Sequence, residues 1–269
     1  MIDNQEIQHY INEARHTKLV YFSNEKEALR FALSCIDLTS LEGADTHAKI
    51  DNLCRQSLSY SPPTAAVCVY PVFVRQAKAA LAGSGIKVVT VAGGFPAGQI
   101  PLPCKLAEIQ YALSEGADEI DMVISRGKFL EGNHSEVFDE IKAIKSLCKD
   151  IHLKVILETG ELQTLENITS ASRIAIEAGA DFIKTSTGKI AVNATPEAFT
   201  AMLLIIKSHY ERTGIPIGIK PAGGIRDIET TLLYIRLLEQ ILGEKWLTNT
   251  RFRIGASSLA DQLASQLAS

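Results

Sequence analysis

The stretch HLKVILETGELQTLENITSASRIAIEAGADFIKTS (152–186) decides the fold. It sets two short β-rich runs, HLKVILE (152–158) and DFIKTS (181–186), on either side of one amphipathic helical segment. Thr164 opens that segment with a side chain suited to an N-cap, and Gly179 stands where a C′ glycine belongs. Strand, helix and strand in succession make a βαβ unit, whose two strands run parallel. The same unit recurs in both directions along the chain. LSCIDLT (33–39), TAAVCVY (64–70), KVVTVAG (87–93) and DEIDMVI (118–124) precede it, and PIGIKP (216–221) and RFRIGA (251–256) follow. Asp45 ahead of HAKIDNLCRQSL, Gly116, and Thr195 with Pro196 punctuate the helices between them. Eight strand-helix pairs in succession predict a closed (β/α)₈ TIM barrel of the α/β class rather than a doubly wound open sheet. No Pro/Gly/Ser-rich linker interrupts the chain, so 1–269 reads as one domain with 1–32 as a helical extension ahead of the barrel.

Bulk properties agree with this reading. The 269 residues match the roughly 250 of a typical barrel. A hydrophobic content of 46% with 22% charged residues is that of a globular chain with a sizeable core. A net charge of −4, without any Lys/Arg run, excludes a general electrostatic grip on nucleic acid. The cysteines, Cys35, Cys54, Cys68, Cys104 and Cys148, are odd in number and form no CxxC, which predicts reduced thiols in a cytoplasmic protein. The polar start MIDNQEIQHY and the lack of an 18-residue apolar run predict a soluble, unprocessed chain without membrane partners. His9, His16, His47, His134, His152 and His209 form no ligand-like pair, and no GxGxxG follows the first strand. Neither a metal nor a cofactor is expected.

Alternate residues of a barrel strand face the helices and the barrel axis, so each run divides by parity. In 152–158, Leu153, Val155 and Leu157 suit the outer layer, which turns Lys154, Ile156 and Glu158 inward. The same division turns Phe182 and Lys184, Gly218 and Lys220, Asp121 and Val123, Cys35 and Asp37, and Ala66 and Cys68 inward. A single charge on a strand is ordinarily a solvated end or half of a structural ion pair. Three lysines, two aspartates and a glutamate aimed at one interior are a different matter. Burying an unpaired charge costs several kcal/mol, so such a collection must neutralise itself or perform chemistry. Asp37, Asp121, Lys184 and Lys220 lie toward the C-terminal strand ends, where barrel enzymes carry their active sites.

A lysine attacks a carbonyl only as the free amine, and desolvation or a second ammonium nearby favours that form. Lys184 and Lys220 end adjacent strands and can each supply the like charge the other needs, so either is a candidate nucleophile. Asp121, assisted by Asp37 and a water, is the right type of group for the proton transfers of carbinolamine formation, dehydration and C–C cleavage. Cys68 reads first as a small buried hydrophobe. A second site is legible in KPAGGIRD (220–227) and GASS (255–258), where Gly223, Gly224, Gly255, Ser257 and Ser258 precede the last two helices. Backbone N–H groups and two helix dipoles converge there, after strands seven and eight, where barrels commonly hold phosphate.

DFIKTSTGK (181–189), KVILETGEL (154–162), VNATPE (192–197), KPAGG (220–224) and GASS (255–258) closely resemble the deoxyribose-phosphate aldolases, which are class I, Schiff-base aldolases. DLT (37–39), CVYP (68–71) and GADEIDMV (116–123) extend the likeness over the whole barrel. The resemblance implies a Schiff base on Lys184, a pKa of Lys184 lowered by Lys220, and a proton shuttle through Asp121 and water. It implies a substrate site that includes Asp37, Cys68, Lys154, Thr187 and Lys189, with phosphate on Gly223, Gly224, Ser257 and Ser258 and with Gly255 beside them. The implied reaction is reversible cleavage of 2-deoxy-D-ribose 5-phosphate to D-glyceraldehyde 3-phosphate and acetaldehyde in deoxynucleoside breakdown, carried out by a homo-oligomer of two or more chains. Some members end in a tyrosine thought to reach the active site, whereas this chain ends QLAS. The segment GGFPAGQIP (93–101) keeps a family-type turn with no chemistry assigned to it.

Overall fold

The computed structural model describes residues 3–268. Eight parallel strands appear, each inside one of the eight runs: β1 (Ile36–Thr39), β2 (Ala66–Val69), β3 (Lys87–Ala92), β4 (Glu119–Val123), β5 (His152–Ile156), β6 (Phe182–Lys184), β7 (Gly218–Lys220) and β8 (Ile254–Ala256). They pair in the order β7-β6-β5-β4-β3-β2-β1-β8. Parallel bridges Ile219↔Phe252 and Ala222↔Gly255 join the two ends of that order and close the ring. The chain is a (β/α)₈ TIM barrel.

Parity sorts the strand residues as expected. Leu38, Val67, Val69, Val88, Ile120, Met122, Leu153, Val155, Ile183, Ile219 and Ile254 join one apolar cluster with the surrounding helices, while Ala66, Cys68, Val89 and Val91 form a separate cluster inside the ring. Cys35 departs from this. It caps the helix Glu25–Ser34 in αR backbone one residue before β1 begins, so strand parity does not govern it, and it packs with the outer cluster. That helix also carries the N-terminal extension two residues past its predicted end at position 32.

Local signals set the helix ends. Thr164 and Thr195 each accept a hydrogen bond from the backbone N–H three residues on, and Pro196 fills the first turn where no N–H is needed. The N-cap of His47–Ser59 is Thr46 rather than Asp45, because Asp45 spends its oxygens on Ser40 Oγ, Glu42 N and Lys49 Nζ. Gly116 and Gly179 close their helices at φ +94° and +100°, backbone that favours glycine. The helix Asn4–His16 lies on the outer helices Pro196–Thr213 and Ile228–Leu242, and Glu239 of the latter accepts the N–H groups of Val20 and Tyr21 at 2.7 and 2.6 Å. Among the described residues no helix is long and apolar enough to cross a membrane.

Candidate active site

Strand register builds the site. Ile156, Lys184 and Lys220 stand side by side on β5, β6 and β7, and Asp121, Lys154, Phe182 and Gly218 run across β4 to β7 in the next layer down. Gly218 is required here, since a Cβ on it would meet the Phe182 ring at 2.5 Å or less. The ionisable side chains interlock. Lys184 Nζ and Lys220 Nζ both donate to Asp121 Oδ2, at 2.8 and 2.7 Å, and Lys154 Nζ donates to Asp121 Oδ1 at 3.0 Å. Lys220 also donates to Asp37, and Lys154 to Glu119. Arg253, on the residue before β8, closes the cycle by donating to Asp37 Oδ1 at 2.7 Å and Glu119 Oε1 at 2.8 Å.

Four cations thus meet three carboxylates, and the contacts are unequal. Lys220, Lys154 and Arg253 each engage two carboxylates, whereas Lys184 has Asp121 alone and shares it with two other lysines. The pKa shifts follow. Burial lowers the Lys184 ammonium, and the adjacent Lys220 charge adds to this against the pull of Asp121. Burial would lower Lys220 too, but Asp121 and Asp37 outweigh it and hold the Lys220 pKa far above its ordinary value. Lys154 is raised in the same way, against its burial, by Asp121 and Glu119. Burial opposes ionisation of Asp37, yet Lys220 and Arg253 hold it down at about 2. Asp121 lies well below the carboxylate range because Lys154, Lys184 and Lys220 together overcome its burial.

Above this network, at the C-terminal ends of the strands, opens a cavity of about 280 Å³. Lys184 reaches it from below, and Thr187, Lys189, Gly223, Gly224, Gly255, Ser257 and Ser258 line its wall. Ala222 N donates to Thr185 Oγ1 at 3.0 Å, which ties the turn after β7 to the end of β6. Gly223 and Gly224 sit at φ +77° and +78°, and a Cβ on Gly223 would come within 2.6 Å of Asn193 Oδ1. GASS lies directly before the helix Leu259–Ala268. The other helix dipole contributes less than expected, because the helix Ile228–Leu242 starts four residues after Gly224 and its first turn is already capped by Asp227.

Asp37, Cys68 and Lys154 are brought to the ionic network or beside it, fully buried, and do not line the cavity. Glu158 is not part of the network. The chain leaves β5 at Ile156, Glu158 turns into left-handed backbone at φ +58°, and its carboxylate accepts the Thr187 N–H at 3.1 Å and the Thr187 hydroxyl. Sequence reasoning passed over Glu119 and Arg253. Glu119 shares the parity of Asp121, and Arg253 lies between the outward Phe252 and Ile254, so dividing the eighth run as the others were divided would have found it. Thr39, Glu42 and Arg226 also line the cavity, and Glu42 accepts a bond from Lys189 Nζ at 2.9 Å.

A buried lysine at the mouth of a parallel barrel, poised over a carboxylate and beneath a glycine-rich cavity wall, defines a lysine-bearing barrel enzyme. The family of DeoC/LacD aldolases matches residues 31–239. The chain is 46% identical over 252 residues to the deoxyribose-phosphate aldolase of Homo sapiens, covering 88% of this chain and 79% of that one. It is 44% identical over 245 residues to the deoxyribose-phosphate aldolase of Agrobacterium fabrum, covering 90% and 93%. Among solved structures it resembles the tetrameric deoxyribose phosphate aldolase of Aeropyrum pernix with a TM-score of 0.73 at 25% identity, over 100% of this chain and 99% of that one. The chain belongs to the DeoC/LacD aldolase family and is an aldolase.

Proposed function

We propose that this aldolase reversibly cleaves 2-deoxy-D-ribose 5-phosphate to D-glyceraldehyde 3-phosphate and acetaldehyde through a Schiff base on Lys184. The observation that carries the reading is that Lys184, of the four network cations, has the fewest carboxylate partners and alone lines the cavity. The relatives' names supply the sugar. The Lys184 amine attacks C1 of the open-chain aldehyde, and the carbinolamine loses water to give an iminium. Removal of the C3 hydroxyl proton then drives the C2–C3 electron pair into an enamine and releases D-glyceraldehyde 3-phosphate. Protonation at C2 and hydrolysis return acetaldehyde and the free amine.

Lys220 keeps its own proton and raises the cost of a second ammonium beside it. Asp121 lies between the two lysines on a single oxygen and relays protons to a water at the cavity floor. The backbone of Gly223 and Gly224 with Ser257 and Ser258 takes the phosphate, and Lys189 lines the same cavity. In this reading the enzyme serves deoxynucleoside breakdown in the cytoplasm as a homo-oligomer, as its tetrameric relative does in assembling. Borohydride reduction in the presence of acetaldehyde tests it. An ethyl adduct mapped to Lys184 by peptide mass is expected, and an unmodified Lys184 would refute the assignment.

A further inference from the structure

The ionic network has a lower tier that never meets the cavity. None of Arg253, Glu119, Asp37 and Lys154 lines the cavity; Lys154 bonds Asp121 directly, Asp37 and Glu119 bond Lys220 and Lys154, which bond it, and Arg253 bonds Asp37 and Glu119. A barrel floor is ordinarily filled with branched apolar side chains, and replacing a buried ion network by such residues is often neutral or stabilising. Stability alone does not account for the tier.

We infer that Arg253 and Glu119 are positioning residues that set how much of Asp121 is left for Lys184, and so fix the pH at which Lys184 becomes an amine. This rests on Lys184 being the nucleophile. The groups facing Lys184 are Asp121 from β4, Lys220 from β7 and Cys68 from β2, with Lys154 and Asp37 one bond further out and Glu119 and Arg253 beyond them. Fully ionised, four cations and three carboxylates leave one surplus positive charge, and loss of the Lys184 proton removes it. Glu119 draws Lys154 away from Asp121 Oδ1, and Arg253 occupies Asp37 and Glu119 so that Lys220 still leans on Asp121.

The two residues therefore push in opposite directions. Glu119→Gln removes a negative charge and turns Lys154 fully onto Asp121, so the Lys184 ammonium loses support and its pKa falls. Arg253→Met removes a positive charge and frees Asp37 and Glu119 to take up Lys220 and Lys154, so Asp121 is left to Lys184 and its pKa rises. Each shift should be up to about one pH unit, the size expected of a buried unit charge that acts on the titrating group through intervening ionised residues.

The test is the pH profile of initial acetaldehyde-dependent borohydride trapping, quantified on the Lys184 peptide in wild type, Glu119→Gln, Arg253→Met and Arg253→Lys. The midpoint should move to lower pH in Glu119→Gln, to higher pH in Arg253→Met, and back toward wild type in Arg253→Lys. Glu119→Gln is close to isosteric and keeps the floor filled should Arg253→Met fail to fold. Equal midpoints in wild type and Glu119→Gln, or shifts of the same sign in the two variants, would overturn the inference. Absence of trapping on wild-type Lys184 would instead overturn the proposed function itself.

Discussion

The two halves of the barrel interior differ in kind. β2 and β3 face the axis with Ala66, Cys68, Val89 and Val91, an apolar patch closed by Leu41, while β4 to β7, together with Asp37 and Arg253, supply seven ionisable groups. Neither half makes a reactive lysine alone. The ionic half by itself would hold every lysine protonated, as it holds Lys154 and Lys220, and the apolar half has no nucleophile. Lys184 lies where burial acts on a cation with one shared carboxylate, and burial is the largest influence on it. The reactivity proposed for Lys184 rests on a deficit of counter-charge in a dry site, not on an excess of like charge alone.

The largest effect should come from deleting the group at that boundary. Lys184→Ala should lower kcat for deoxyribose 5-phosphate cleavage by about 10⁴-fold or more, measured as aldehyde release. Asp121→Asn breaks the ionic half at its hub, leaving three lysines without their shared counter-charge. It should cost about 10²–10⁴ in kcat and about 3–5 kcal/mol in stability, read by turnover and by urea denaturation. Gly223→Ala leaves both halves intact and strains only the cradle, where φ is +77° and the new Cβ would crowd Asn193. The KM for the phosphorylated sugar should rise about tenfold or more, the equivalent of one lost charge-assisted hydrogen bond, with kcat little changed. Val91→Thr buries a hydroxyl in the apolar half at a cost of about 1–3 kcal/mol and should move the acid limb of activity to slightly higher pH, because a less apolar wall desolvates Lys184 less.

The same contrast was half visible in the sequence. Asp37, Asp121, Lys154, Lys184 and Lys220 could be assigned to the interior because each sits within a regular strand, where a period of two holds. Glu158 and Cys35 broke the rule for one reason: at each the backbone has left the strand, into left-handed and helical conformations that no alternation anticipates. Glu119 and Arg253 were available to the same parity argument and lie on the floor rather than near the mouth, where attention to strand ends does not reach. Glu42 and Arg226 come to the cavity on loops, and loops carry no period. Which of two adjacent lysines is short of counter-charge depends on the count of carboxylates around each, and that count exists only in three dimensions.

Acid pH gives a further reading of the ionic half. Asp37 has a folded pKa of about 2 against an ordinary 3.8, so its contribution to stability is complete above the ordinary value and is lost as pH falls from about 4 through 2. Asp121 and Glu119 are lowered in the same direction and extend this loss. The urea midpoint should fall across that interval, and Arg253→Met, which releases Asp37, should shift the fall to higher pH.

The most direct test of the account is a titration of the lysine side chains themselves, by heteronuclear NMR of lysine-labelled enzyme with Lys184 assigned through Lys184→Arg. Lys184 should give up its proton first, below the ordinary 10.5, while Lys220 and Lys154 stay charged through the same range. A Lys184 that holds its proton beyond 10.5, or a Lys220 that deprotonates before it, would contradict the account.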